Sequence, residues 1–314
     1  MIAETLTSPI ILFFVLGLAA GFARSDLAIP EAFAKAMAIY LMAAIGLKGG
    51  VAVSQSGFTE ALGLAAVAGI ALSFLLPLPA FVLLRSVGRL DRTNAAAVAA
   101  HYGSVSLVTF ITVTEMLKGG PLEAPSYMVA VLALMETPAI ITGLALARRK
   151  GGEAGRGVVH EVLLNASVVL LVGAFVIGLV AGEQGFAPVK PVFDGGYRGV
   201  LCLFLLDMGL IAARRLTQTR ALTFPLVTLG IALPLLNGAL GVILGTALGL
   251  GVPSAAVLGI LAASASYIAV PAAMRLALPE ADPGISLSMS LGITFPFNIV
   301  VNIALIASVA RMIG

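Results

Sequence analysis

The chain has 314 residues, 60% of them hydrophobic and 11% charged, with a formal net charge of +3 and a mean hydropathy of +1.10. A soluble domain has no surface on which to place so much apolar side chain, and a disordered, collagenous or nucleic-acid-binding chain is excluded as well. What remains is a bilayer protein, and continuous apolar runs of about twenty residues make it helical rather than a β-barrel.

Residues 1–9 carry Glu4 and no basic residue, so they lack the n-region of a signal peptide and the run after them reads as a retained span. Apolar runs bounded by charge clusters or by Gly and Pro then predict ten spans. The first five cover 9–22, 30–47, 60–84, 93–117 and 125–147; the second five cover 162–181, 197–213, 222–248, 253–278 and 285–312. Of the 18 Lys and Arg, 13 fall at the loops after odd-numbered spans or at the span ends beside them, Arg85, Arg89, Arg148 and Arg214 among them. Lys48, Lys118, Lys190, Arg198 and Arg311 fall on the other side. The positive-inside rule puts the richer side in the cytoplasm, both termini outside, and the chain in the inner (plasma) membrane.

The two halves repeat a pattern. Span four reads Asn94-Ala-Ala-Ala-Val-Ala-Ala-His-Tyr-Gly-Ser-Val-Ser106, and span nine reads Ser254-Ala-Ala-Val-Leu-Gly-Ile-Leu-Ala-Ala-Ser-Ala-Ser266. Each is an Ala-rich stretch that runs into Ser-x-Ser and then resumes. Pro138 in span five and Pro296 in span ten fall at matching places. The expected domains are a five-helix repeat over 1–147, a cytoplasmic linker over 148–160 and a second repeat, inserted upside down, over 161–314.

Unwound backbone survives in hydrocarbon only where it lines a cavity, and paired interruptions in two repeats point to a transport site. A half-helix that starts at a break aims free N–H groups at it, which suits a small anion; one that ends there offers carbonyls, which suit a hard cation such as Na⁺. Tyr102, Gly103, Ser104, Val105 and Ser106 supply the first expected break, and Ser264, Ala265, Ser266 and Tyr267 the second. Close helix packing by small residues is the competing account. Intramembrane Glu136 and Asp207 are candidate cation ligands or proton carriers, with interhelical hydrogen bonding as the alternative. Thr137, Thr294 and Asn298 add oxygens beside the two prolines, whereas Asn237 and Asn302 read as packing and His101 as structural or tuning. Cys202 is the lone cysteine, and no transition-metal site, organic cofactor or enzyme motif is expected.

At these residues the chain resembles the cyanobacterial-type sodium-dependent bicarbonate transporters. The likeness runs from Leu6-Thr-Ser-Pro-Ile-Ile-Leu-Phe-Phe14 and Arg24-Ser-Asp-Leu27, through Ile45-Gly-Leu-Lys-Gly-Gly-Val51, Tyr102-Gly-Ser-Val-Ser106 and Phe204-Leu-Leu-Asp-Met-Gly209. It is most specific at Ala263-Ser-Ala-Ser-Tyr-Ile-Ala-Val-Pro-Ala-Ala-Met-Arg275 and Thr294-Phe-Pro-Phe-Asn298. The resemblance implies two inverted five-helix repeats, a gate and a core domain, a homotrimer, elevator-type alternating access, Na⁺-coupled bicarbonate import, and substrate binding at Tyr102–Ser106 and Ser264–Tyr267. It also implies a PII-like regulatory protein at the cytoplasmic face, although the linker looks shorter than in cyanobacterial members. Two other functions fit the residues less well: Na⁺-coupled import of a bulkier organic anion, which the small Gly/Ser/Ala lining opposes, and a bicarbonate sensor that binds without net flux.

Overall fold

Backbone amides in a bilayer can be paired only within helices or closed barrels. The computed structural model describes residues 9–147, 166–218 and 222–314, and every regular element among them is helical. The expected linker over 148–160 lies outside the described residues. In chain order the helices are α1 Pro9–Phe22, α2 Glu31–Ser56, α3 Glu60–Leu75, α4 Pro77–Ser86, α5 Arg92–Gly103, α6 Leu107–Leu117, α7 Met128–Glu136 and α8 Pro138–Ala147. They continue as α9 Ala166–Phe186, α10 Tyr197–Gln218, α11 Phe224–Ala247, α12 Val252–Ala263 and α13 Ala269–Ala277, ending in α14 Pro283–Ile313. Among the described residues, six stretches are long and apolar enough to cross a membrane: α2, α3 with α4, α5 with α6, α7 with α8, α11 and α14. The chain is thus a multi-pass membrane protein in which further apolar helices, α1 and α12 among them, are shorter.

α2 departs from the expected end at residue 47. Gly49 and Gly50 read as a stop, yet the helix runs on to Ser56. The reason is a helix crossing: a Cβ on Gly50 would stand 1.9 Å from the Phe175 carbonyl oxygen, and one on Gly178 would stand 2.2 Å from that of Leu47. α2 and α9 therefore touch backbone to backbone, and these glycines serve close approach. α1 and α10 cross in the same way. A Cβ on Gly17 would meet the Leu206 oxygen at 2.1 Å, and one on Gly209 the Phe14 oxygen at 2.3 Å.

Helices α1, α2, α9 and α10 pack on one another through these crossings. In the remaining helices, α3 and α4 pack on α7, α8 and α5, and α11 and α14 pack on α12. The seam between the two groups runs along α7 and the middle of α14. There the Phe295 ring meets Phe14 of α1 edge-on at 5.2 Å and Tyr267 at 5.3 Å.

Polar side chains fix the ends of the broken α5–α6 span. Asp91 caps α5, accepting from the Asn94 amide at 3.0 Å and from its carboxamide at 2.5 Å. Slight burial pushes the Asp91 carboxyl up, but these hydrogen bonds and one from the Thr93 backbone outweigh it and hold the group below the ordinary carboxylate range. Its stabilisation is therefore present above that range and lost as pH falls through the lowered value. Asp91→Ala should cost about 1 kcal/mol at neutral pH; the gap in thermal unfolding between variant and wild type should close on acidification. At the opposite end, Lys118 lies 3.6 Å from Asp194, which also binds Lys48 at 3.2 Å. Partial burial pushes the Asp194 carboxyl up, and the two ammonium groups more than reverse this, leaving it below its ordinary range. Glu115 of α6, buried, is paired with Arg198 of α10.

Candidate functional site

The long α5–α6 span is helical only to Gly103. Ser104, Val105 and Ser106 are not helical, and α6 restarts at Leu107. Tyr102 and Gly103 thus close the first half-helix rather than lie in the break. Gly103 is required by space: a Cβ there would stand 2.3 Å from the Pro77 ring. Ser104 and Ser106 are extended, and the Ser106 hydroxyl accepts from the Thr109 amide at 3.2 Å, capping α6. The second break spans 264–268, between α12 and α13, and here the Ser266 hydroxyl accepts from the Val270 amide at 3.3 Å.

The two breaks bond directly to each other. The Ser266 amide donates to the His101 carbonyl at 2.9 Å, and the Ser106 amide donates to the Ser264 hydroxyl at 2.9 Å. His101 Nδ1 lies 2.5 Å from the Ser266 carbonyl oxygen. Interrupted helices leave their last carbonyls unpaired, and two asparagines take them: Asn237 donates to Tyr102 O at 3.1 Å and Asn298 to Ala263 O at 2.9 Å. Asn302 donates in turn to the Asn298 side-chain oxygen at 2.8 Å. Thr294 donates to Gly230 O at 2.7 Å, which commits its proton, so the Tyr102 hydroxyl 2.7 Å away is the donor between that pair. In α14 the backbone winds in wide i→i+5 turns over Ser288–Thr294 and Asn298–Asn302, on either side of Pro296.

A small hollow opens beside the crossing, lined by Val105, Ser106, Ser266, Tyr267, Glu136 and, across the seam, Met42 of α2. It admits the centre of a water-sized sphere over about 10 Å³, close to room for one water. Two half-helices, α6 and α13, begin next to it, and the Glu136 carboxyl is buried at its wall. Amide ends of two helices with one carboxylate can hold an anion and a cation side by side.

The sequence-predicted residues divide accordingly. Ser106, Ser266, Tyr267, Val105 and Glu136 share the hollow; Ser104, Gly103, Tyr102, Ser264 and Ala265 frame the crossing. Thr294 and Asn298 stand behind it, occupied by the hydrogen bonds above. Thr137 is half-buried between α7 and α8, where its carbonyl accepts from Ile140. Asp207 is buried on α10 and lines no part of the hollow. Sequence reasoning missed Ser73, whose hydroxyl donates to Met135 O at 2.6 Å and accepts from Ala139 N at 3.1 Å. It bridges the gap that Pro138 leaves next to Glu136, and a lone Ser in an apolar span was its signal.

The family model of the Na⁺-dependent bicarbonate transporter superfamily matches residues 9–311. No curated protein matches the chain.

Proposed function

This chain belongs to the Na⁺-dependent bicarbonate transporter superfamily, and from that premise we propose that it imports bicarbonate with Na⁺ across the plasma membrane through the hollow at the two crossing breaks. The carrying observation is the direct hydrogen bonding of the breaks, Ser266 N–H to His101 O and Ser106 N–H to the Ser264 hydroxyl. It aims the start of α6 and the start of α13 at one place. In this reading Tyr102, Gly103, Ser104, Val105 and Ser106 with Ser264, Ala265, Ser266 and Tyr267 form the anion seat. The seat works by dipoles and hydroxyls, without a guanidinium fork.

Na⁺ is the coupling ion, and Glu136 with Thr137 supplies its oxygens. Thr294 and Asn298 join as ligands when the Tyr102 hydroxyl and the Asn302 carboxamide release their side-chain oxygens. Asp207 contributes from outside the hollow, as a charge on the neighbouring bundle.

Ten spans in two inverted repeats account for the packing. A shift of five spans carries the α1–α10 crossing onto the α9–α2 crossing, and with it Gly17 onto Gly178 and Gly209 onto Gly50. Two bundles that meet at a seam holding the hollow suit elevator-type motion, with α1, α2, α9 and α10 as the fixed gate. The exposed Val176, Ile177 and Val180 of α9 give lipid or a trimer neighbour an apolar face. Both termini lie outside the cell, and a PII-like partner would meet the linker on the inner face.

Purified protein in liposomes is expected to accumulate labelled bicarbonate under an inward Na⁺ gradient and to lose that uptake when choline replaces Na⁺. Undiminished uptake in choline would end the coupling proposal. Competition by bulky organic acids would turn the assignment toward an organic-anion symporter, and saturable binding without flux toward a sensor.

A further inference from the structure

The carboxylate assigned to Na⁺ sits at a gap in its own helix, and another helix reaches into that gap. α7 ends at Glu136 and α8 begins at Pro138, which has no N–H to return to residue 134. Residues 135 and 139 are four apart, so an unbroken helix would join the Met135 carbonyl to the Ala139 amide. The Ser73 hydroxyl of α3 takes both groups, donating to the first at 2.6 Å and accepting from the second at 3.1 Å. Ile140 then bonds back to Thr137 O at 3.1 Å, a tighter i→i−3 turn. The Glu136 carbonyl accepts instead from Ser104 of the first break, at 3.3 Å.

Ser73 is 0% exposed, and after Glu60 it is the one polar side chain of α3. Docking of α3 on α8 has a separate tie, from the Thr142 hydroxyl to Phe74 O at 3.1 Å. The Ser73 hydroxyl therefore acts on the gap. Among the described residues the Glu136 side chain makes no hydrogen bond or ion pair, and the residue stands at the wall of the hollow. A carboxylate serves a cation only if its oxygens are aimed, and the groups behind a ligand supply that aim.

We propose that Ser73 is a positioning residue for the coupling ion: its hydroxyl, interposed between Met135 and Ala139, keeps α7 and α8 parted and turns Glu136 toward the hollow. The proposal rests on Glu136 as a Na⁺ ligand in the reading above. Two measurements test it, Na⁺ activation of uptake at saturating bicarbonate and the rise of unfolding temperature with Na⁺ in detergent, which reports binding by mass action. Ser73→Ala lets Met135 O and Ala139 N bond each other, so unfolding without Na⁺ should match wild type. The Na⁺ concentration for half-maximal effect should rise at least about tenfold in both measurements, the loss appearing in the Na⁺ requirement and not in the maximal rate. Ser73→Thr, which keeps the hydroxyl, should recover most of the affinity. Ser73→Cys, close in volume but a weak donor, should fall between, and it carries the test if the alanine variant does not fold. Wild-type Na⁺ requirement in the folded variants would reduce Ser73 to helix packing and overturn the proposal, with Na⁺ coupling intact. Na⁺ dependence that survives Glu136→Gln would overturn the assignment of the ion to Glu136 instead.

Discussion

Replacing Ser266 by leucine is expected to lower Na⁺-driven bicarbonate uptake at least roughly a hundredfold while the protein still inserts and purifies. The hollow at the crossing is close to one water in size, so a leucine side chain occupies the space in which the anion must meet the amide ends of α6 and α13. Misplacing the reacting or bound groups by about 1 Å is enough for a loss of that order. Backbone links survive, because Ser266 holds His101 through its amide and carbonyl. Ser266→Ala is the contrast: it leaves the hollow open and removes one hydroxyl, which caps Val270 for about 1 kcal/mol of helix stability and belongs to the proposed seat, so a smaller loss of uptake, about tenfold, is expected. Wild-type uptake by the leucine variant would remove this segment from the site.

The largest stability effect is expected from a single methyl group. Gly50→Ala or Gly178→Ala puts a Cβ 1.9 or 2.2 Å from a carbonyl oxygen of the opposing helix. Neither partner is a flexible side chain, so α2 and α9 must separate, at a cost of about 3 kcal/mol. Gly63 is the control: nothing lies within 4 Å of a Cβ there, and alanine should stabilise α3 by roughly 0.5–1 kcal/mol. Thermal unfolding in detergent reads both. Equal melting of Gly50→Ala and wild type would show that the crossing is looser than described.

Hydropathy made the bilayer class and the ends of α1 legible, because apolar run length depends on the solvent alone. The two breaks were legible because Ser-x-Ser recurs at matching places in two Ala-rich spans, which close packing of small residues alone does not require. What stayed hidden depended on a distant partner. Gly50 reads locally as a stop, and only Phe175 on α9 makes it a contact. Asn237 and Asn298 look like unrelated polar residues until Tyr102 O and Ala263 O are seen to need the same donor. Thr294 offered an oxygen in sequence, and its hydrogen bond to Gly230 shows the proton already committed.

The ion pairs at the end of α6 divide unevenly. Asp194 answers to both Lys48 and Lys118, so withdrawal of Lys118 would leave that carboxylate neutralised. Glu115, whose side chain is 5% exposed, is paired with a guanidinium that belongs to α10, and Lys48 and Lys118 line the same cavity without an ion pair to it among the described residues. Any displacement of α6 from α10 therefore separates one buried carboxylate from its guanidinium, to be met by water, by a proton or by one of those lysines. The toll of parting these helices is concentrated at Glu115.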